Sequence, residues 1–279
     1  MRLARIVFVL CCLAAVTPAG AETYRVRVVR DVPYLKGANY ADDKDKLDLY
    51  LPEGRANAPV IVSYYGNQLM GGDKLEDAYV GHRFASAGFV TAVVNYRLSP
   101  AVAHPAHVQD AAASFAWVKR NIKEYGGDPD RVSAVGYSAG GYLAALLSTD
   151  PRYLAAHGLS PRDIRGTVPV SAFYRVEGRG VAPDRDKSVW GTDRNTWVDA
   201  SPAHHLHGTT PPPMLILYAD QDEDWRRQQN VEAAAAMKAA GHARVEIAMI
   251  PDRNHATIWA RVGAGDDETA TRIISFASR

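Results

Sequence analysis

Short apolar or alternating runs recur along the chain at Tyr24–Arg30, Leu47–Leu51, Val60–Tyr64, Phe89–Asn95, Val132–Tyr137, Gly166–Ser171, Met214–Ala219 and Val245–Ile250. Their brevity and bounding turn residues predict eight strands. Helix-period segments separate several of them. In one, Val108, Ala111, Ala112, Phe115 and Ile122 share a face and Gly126-Gly127 supplies the stop. From the third run onward strand and helix alternate, which predicts an α/β chain with a mostly parallel eight-stranded sheet and helices on both faces. The first two runs, joined without a helix, fit an antiparallel edge. No internal repeat is apparent, and neither Ala233–Ala236 nor Pro211-Pro212-Pro213 reads as a linker. One large domain over residues 22–279 is expected, a length ample for a sizeable core.

The amino terminus reads as a secretory signal over residues 1–21: Arg2 and Arg5 give the positive end, Ile6–Val16 the apolar core, and Ala19-Gly20-Ala21 the small-residue cleavage site. The apolar run falls short of the ~20 residues of a membrane span, which argues against an uncleaved anchor. Cys11 and Cys12 lie inside the apolar core, without the small residues that a lipoprotein signal places before its cysteine. They are the only cysteines, so a chain cleaved after Ala21 has neither disulfide nor thiolate metal site. The expected location is periplasmic or extracellular. Loss of Arg2 and Arg5 takes the formal charge from +1 to −1, leaving no electrostatic case for nucleic acid or an anionic membrane. A small or neutral substrate is expected.

Sites in such sheets form beyond the carboxyl ends of the strands. Three turns stand there with reactive groups: Gly136-Tyr137-Ser138-Ala139-Gly140-Gly141 after the fifth run, Asp220-Gln221-Asp222 after the seventh and Asn254-His255 after the eighth. A G-x-S-x-G turn between strand and helix strains the serine and needs small neighbours, and it leaves the hydroxyl projecting into a cleft. A serine hydroxyl is a weak nucleophile at neutral pH and needs a histidine to take its proton. A carboxylate must in turn fix the imidazole tautomer. Position favours His255 as the base, because His242 precedes the last strand and His82, His104 and His107 lie in or near predicted helices. His204, His205 and His207 have no carboxylate or helical i, i+4 pair to make a metal site. Asp220, Asp222 and Asp224 compete as the acid. A calcium loop starting at Asp220 fails, since Trp225 and Val231 stand where glycine and glutamate are needed. Thirty-three residues from Asp222 to His255 leave room for one helix and one strand.

The developing oxyanion requires backbone N–H donors, one from Ala139 and others from the loop after the third strand, Tyr65 to Lys74. Here the chain resembles the α/β-hydrolase esterase branch that includes hormone-sensitive-lipase-like carboxylesterases, bacterial feruloyl-esterase-like proteins and kynurenine-formamidase-like enzymes. Gly72-Asp73-Lys74, Asn95-Tyr96-Arg97-Leu98, His104-Pro105-Ala106, Gly126-Gly127-Asp128-Pro129-Asp130-Arg131, the serine turn, Ala200-Ser201-Pro202 and Pro212-Pro213-Met214 carry the resemblance. It implies an α/β-hydrolase fold, the order Ser138, Asp222, His255, and an acid about three residues beyond the small Ala219, which selects Asp222 with Asp220 as the fallback. The chain departs from the family's His-Gly-Gly-Gly-Trp, having Tyr65-Gly66-Asn67-Gln68-Leu69. Asn67 and Gln68 keep their amides, but their Cβ atoms restrict φ and their side chains narrow the acyl pocket.

The resemblance implies a serine carboxylic-ester hydrolase without metal or organic cofactor. It also places a cap-like insertion at about 173–210, carrying Tyr174, Trp190, Trp197 and several arginines. These suit an aromatic or sugar-linked ester, or else pack the insertion on the sheet. The rival readings are a weak or inactive hydrolase-fold binding protein, an arylformamidase and a peptidase.

Overall fold

The computed structural model describes residues 23–35, 37, 38, 40, 42–177, 183–206 and 211–279. The expected leader at 1–21, His207, and positions 178–182 and 207–210 of the expected insertion lie outside the described residues. All eight expected strands form: β1 (Val26–Pro33), β2 (Lys46–Pro52), β3 (Ala58–Tyr64), β4 (Val90–Val94), β5 (Gly127–Tyr137), β6 (Thr167–Val170), β7 (Met214–Gln221) and β8 (Val245–Asn254). They build one sheet in the order β1-β2-β4-β3-β5-β6-β7-β8. β1 pairs antiparallel with β2, and β2 antiparallel with β4; every later pairing is parallel.

The helices are α1 (Ala78–Ser86), α2 (Ala106–Asn121), α3 (Ala139–Thr149), α4 (Pro151–Ala155), α5 (Pro183–Trp190), α6 (Arg194–Asp199), α7 (Asp224–Ala239), α8 (Thr257–Ala260) and α9 (Glu268–Ala277). Side-chain alternation along the strands sorts them into two layers. Ile61, Val135, Val168 and Leu217 pack with Val80 and Phe84 of α1, Trp259 of α8 and Ile273 of α9. Their neighbours Val60, Val62, Val132 and Ala134 pack with α2 and α3, and Met214 and Ile216 with α7. A strand buried on both faces has no reason to alternate polar and apolar residues, which is why β3 is buried throughout. Among the described residues no helix is long and apolar enough to cross a membrane.

Sheet order decides what meets at the carboxyl edge. β5 lies between β3 and β6, so the turn that ends it faces the loops after both strands. β7 and β8 follow on the same side, bringing Asp222 and His255 to that edge.

Candidate active site

Ser138 lies between β5 and α3 with φ 54° and ψ −113°, a strained conformation that costs about 1–3 kcal/mol for a residue with a side chain. The turn closes because its glycines let backbones touch. A Cβ on Gly136 would stand 2.2 Å from the Gly140 carbonyl oxygen, and one on Gly140 would stand 2.0 Å from that of Tyr64. Ser138 N–H donates to Val170 O at 2.8 Å, tying the turn to β6.

Ser138 Oγ stands 3.0 Å from His255 Nε2, and His255 Nδ1 stands 2.8 Å from Asp222 Oδ1. The sequence-selected serine, histidine and acid thus meet in one hydrogen-bonded line. Asp222 is buried, and its Oδ2 accepts from Ser171 Oγ at 2.6 Å and from Ala219 N–H at 3.0 Å. Burial alone would raise its pKa, but the hydrogen bonds from His255, Ser171 and Ala219 outweigh burial and hold the carboxyl below the usual range. Ser171 is itself left-handed, at φ 46°, and its carbonyl accepts from Arg226 Nη1 at 3.0 Å. Neither Ser171 nor Arg226 was singled out by the sequence. The only available signal was a serine directly at the end of the sixth apolar run.

The rival acids have other work. Asp220 accepts the backbone N–H groups of Asp252 and Arg253, at 3.1 and 2.9 Å, and so pins the end of β8 that leads into His255. Asp224 pairs with Arg227 on the surface. Among the other histidines, His205 Nε2–H donates to Asp199 O at 2.6 Å. His107 is buried beside Ser99, and burial pushes its pKa down to about 4. Asp222, Glu223 and His255 also stand within ligand distance of one another. At 2.8 Å, Nδ1 and Oδ1 sit as a hydrogen-bonded pair; two ligands on one tetrahedral ion, at ~2 Å each, would stand over ~3 Å apart.

The loop facing Ser138 takes an unusual course. Asn67, Gln68 and Leu69 have φ of 77°, 63° and 64°, so side-chain-bearing residues occupy the left-handed region that glycines would adopt freely. Anchors on both sides hold the loop there. Tyr96 Oη donates to Tyr65 O at 2.8 Å and the two rings stack at 4.4 Å, while Leu69 is buried and its carbonyl accepts from Ser99 N–H. Downstream, Lys44 Nζ donates to Gly72 O and Asp73, and Lys74 Nζ donates to Asp31 and Asp48, each at 2.7 Å. Gly72-Asp73-Lys74 is therefore the loop's anchor on the antiparallel edge.

Gln68 and Ala139 line the cleft beside Ser138, while Asn67 does not. The Asn67 side chain turns back over Gly71, where an added Cβ would meet its Nδ2 at 2.7 Å. The expected narrowing of the pocket by both side chains is corrected to Gln68 alone. Ala139 N–H opens the first turn of α3, where amides have no intrahelical acceptor. Replacing Gln68 with glycine is expected to raise stability by up to ~1 kcal/mol, since the left-handed φ then costs nothing, and to change kcat by less than about tenfold. Denaturant melts and steady-state kinetics check both. A loss beyond about 10²-fold would show that the side chain, not the backbone, supplies the donor.

The cleft has a volume of ≈ 410 Å³. Phe173, Arg175, Arg185 and Trp190, from the segment between β6 and β7, form one wall, and Trp225, Arg226 and Gln229 of α7 another. Phe173 stacks on Tyr142 at 4.5 Å and meets Trp190 edge-on at 5.8 Å. Tyr174 is fully packed in the core and Trp197 Nε1 is spent on Gly191 O, so those two do not line the cleft. The α7 wall was not foreseen.

The family model described as BD-FAE matches residues 47–155, from β2 through α4. Esterase LipQ of Mycobacterium tuberculosis is 30% identical over 246 residues, 81% of this chain and 56% of that protein. The chain spans about half the length of the curated relatives it matches. A truncated carbohydrate esterase from gut microbiota superposes with a TM-score of 0.76 at 20% identity, covering 93% of this chain and 97% of its own. The native thermophilic esterase of Thermogutta terrifontis gives 0.68 at 25% identity, covering 94% and 92%. By its sheet order and these likenesses, the chain has the α/β-hydrolase fold and is similar in sequence and structure to esterases.

Proposed function

We propose that the protein is an exported serine carboxylic-ester hydrolase. The Ser138–His255–Asp222 line, with contacts of 3.0 and 2.8 Å, carries this reading. His255 Nε2 takes the hydroxyl proton as Ser138 Oγ bonds to the ester carbonyl carbon. The carbonyl oxygen takes the charge and is held by the amides of Ala139 and Gln68, the two oxyanion candidates that line the cleft, while Asn67 stands outside it. Asp222 keeps the proton on Nδ1 and stabilises the imidazolium. The tetrahedral intermediate then collapses, the imidazolium protonates the leaving alkoxide, and Ser138 is left acylated. Water, deprotonated by the same His255, attacks the acyl carbon; return of that proton to Oγ releases the acid. These steps need neither metal nor organic cofactor.

The substrate we assign is a small ester whose acyl or alcohol part is aromatic or sugar-linked. A ≈ 410 Å³ cleft holds a compact molecule, and it is lined by the aromatic side chains of Phe173, Trp190 and Trp225 together with polar Gln68, Glu223 and Arg226. The leader-like residues 1–21 support a periplasmic or extracellular location.

A fluorophosphonate probe is expected to label Ser138 at one equivalent, read by intact mass and peptide mapping. Only an activated hydroxyl reacts at a useful rate. Lack of labelling in the folded protein would overturn the hydrolase reading in favour of a binding protein on the same scaffold.

A further inference from the structure

Three residues outside the reacting line converge behind His255. Tyr137, immediately before the nucleophile, donates its hydroxyl to the His255 backbone carbonyl at 2.7 Å, and its ring lies 5.2 Å from the imidazole. The same ring stacks with Trp259 of α8, at 5.5 Å and 7° from parallel. Trp259 Nε1–H in turn donates to both carboxylate oxygens of Asp77, at 3.1 and 3.0 Å. Asp77 caps the entry to α1, the helix that follows the oxyanion loop, and its carbonyl accepts from Val80 and Gly81. The Tyr137 ring also lies against Gly66, where an added Cβ would meet it at 2.9 Å.

We infer that Tyr137, Trp259 and Asp77 are positioning residues that clamp the His255 loop, the nucleophile turn and the oxyanion loop into one register. The inference rests on the acylation chemistry proposed above. Two observations separate it from ordinary packing. Tyr137 spends its polar atom on the main chain of the one residue whose imidazole must stay aligned with Ser138 Oγ. Asp77 is a buried carboxyl whose hydrogen-bonding side chain is the Trp259 indole, with Glu76 as the nearby charge, and burial pushes its pKa up to about 7. Such a group is costly in a core, where an apolar residue of similar size would pack without desolvation. Its position is explained if the indole must be held at one angle.

Tyr137→Phe deletes one oxygen and keeps the stack, Trp259→Phe deletes the indole donor, Asp77→Asn keeps an acceptor and Asp77→Leu removes it. Each variant is compared with wild type in the rate of Ser138 labelling by a fluorophosphonate, in kcat and KM for p-nitrophenyl acetate, and in Tm. Tyr137→Phe, Trp259→Phe and Asp77→Leu are expected to slow labelling and kcat about tenfold or more with KM within about twofold, as misplacement of a reacting group does. Asp77→Asn is expected to stay near wild type. Wild-type labelling and kcat in folded Tyr137→Phe, with only Tm lowered, would overturn the inference. Should Tyr137→Phe not fold, Trp259→Phe decides by the same criterion. A wild-type protein that fails to label would instead defeat the nucleophile assignment itself.

Discussion

Ser138→Ala is expected to lower kcat for p-nitrophenyl acetate by about 10⁶-fold, the scale on which a serine hydrolase loses its nucleophile. The structure makes this a clean deletion. Ser138 Oγ bonds His255 Nε2, while the backbone contacts of the turn, Ser138 N–H to Val170 O and Tyr142 N–H to Ser138 O, are untouched by the change. Alanine meets the same left-handed φ as serine, so Tm should shift by no more than a few degrees. Steady-state kinetics with a purified variant, alongside circular dichroism, tests this. Wild-type turnover would remove Ser138 from the mechanism. Substrate binding should survive, because the walls of the cleft are independent of that oxygen.

Asp222→Asn is expected to cost about 10⁴-fold in kcat, through the tautomer instead of through bulk. An amide NH₂ turned toward His255 Nδ1 would make that nitrogen an acceptor and put the proton on Nε2, where it blocks removal of the serine proton. If the amide oxygen faces Nδ1 instead, the NH₂ points at the Ser171 hydroxyl and the Ala219 N–H, and the latter loses its acceptor. The first orientation keeps these contacts but misplaces the imidazole proton, and the second leaves a buried N–H without its acceptor. Acid stability carries a second signature. The native carboxyl is held below its ordinary value near 4, so its stabilising effect is fully present above that pH and fades as pH falls through the lower native pKa. Denaturant melts between pH 3 and pH 7 should therefore show a shallower acid slope in the variant. Equal slopes would mean that another carboxylate dominates the transition.

Much of this arrangement is legible in the sequence. Strand positions follow from runs that must be apolar to be buried on both faces, and Ser138, Asp222 and His255 fall at strand ends because the chemistry of such sheets gathers there. Strand limits were less exact. β5 begins at Gly127, five residues before its apolar run, because Ala58 pairs with Gly127 across a bulge. β8 runs on to Asn254, past Asp252 at φ 54°, because Asp220 receives two amides of that extension. The insertion of β4 between β2 and β3 leaves no trace in local pattern, since order in a sheet is a property of pairings distant in sequence. For the same reason Ser171 and Arg226 were invisible. Their role exists only once β6 lies beside β7 and α7 folds back over that edge. The loop at Asn67 and Gln68 was read as a restriction on φ. The fold instead holds both residues in the left-handed region, with buried anchors offsetting the strain.

Those anchors give the amino-terminal edge strand a consequence for how the protein can be trimmed. Lys74 is buried, and its ammonium is shared between Asp31 of β1 and Asp48 of β2, while Asp48 also takes Arg30 and the amide of Asp31 from β1. A fragment starting after Pro33 would retain every residue of the reacting line. It would still leave the lysine with one carboxylate and that carboxylate without two of its donors. The segment most remote from the chemistry is thus mechanically continuous with the loop that would hold the oxyanion, and shortening the chain there would slacken the site before it unfolded the sheet.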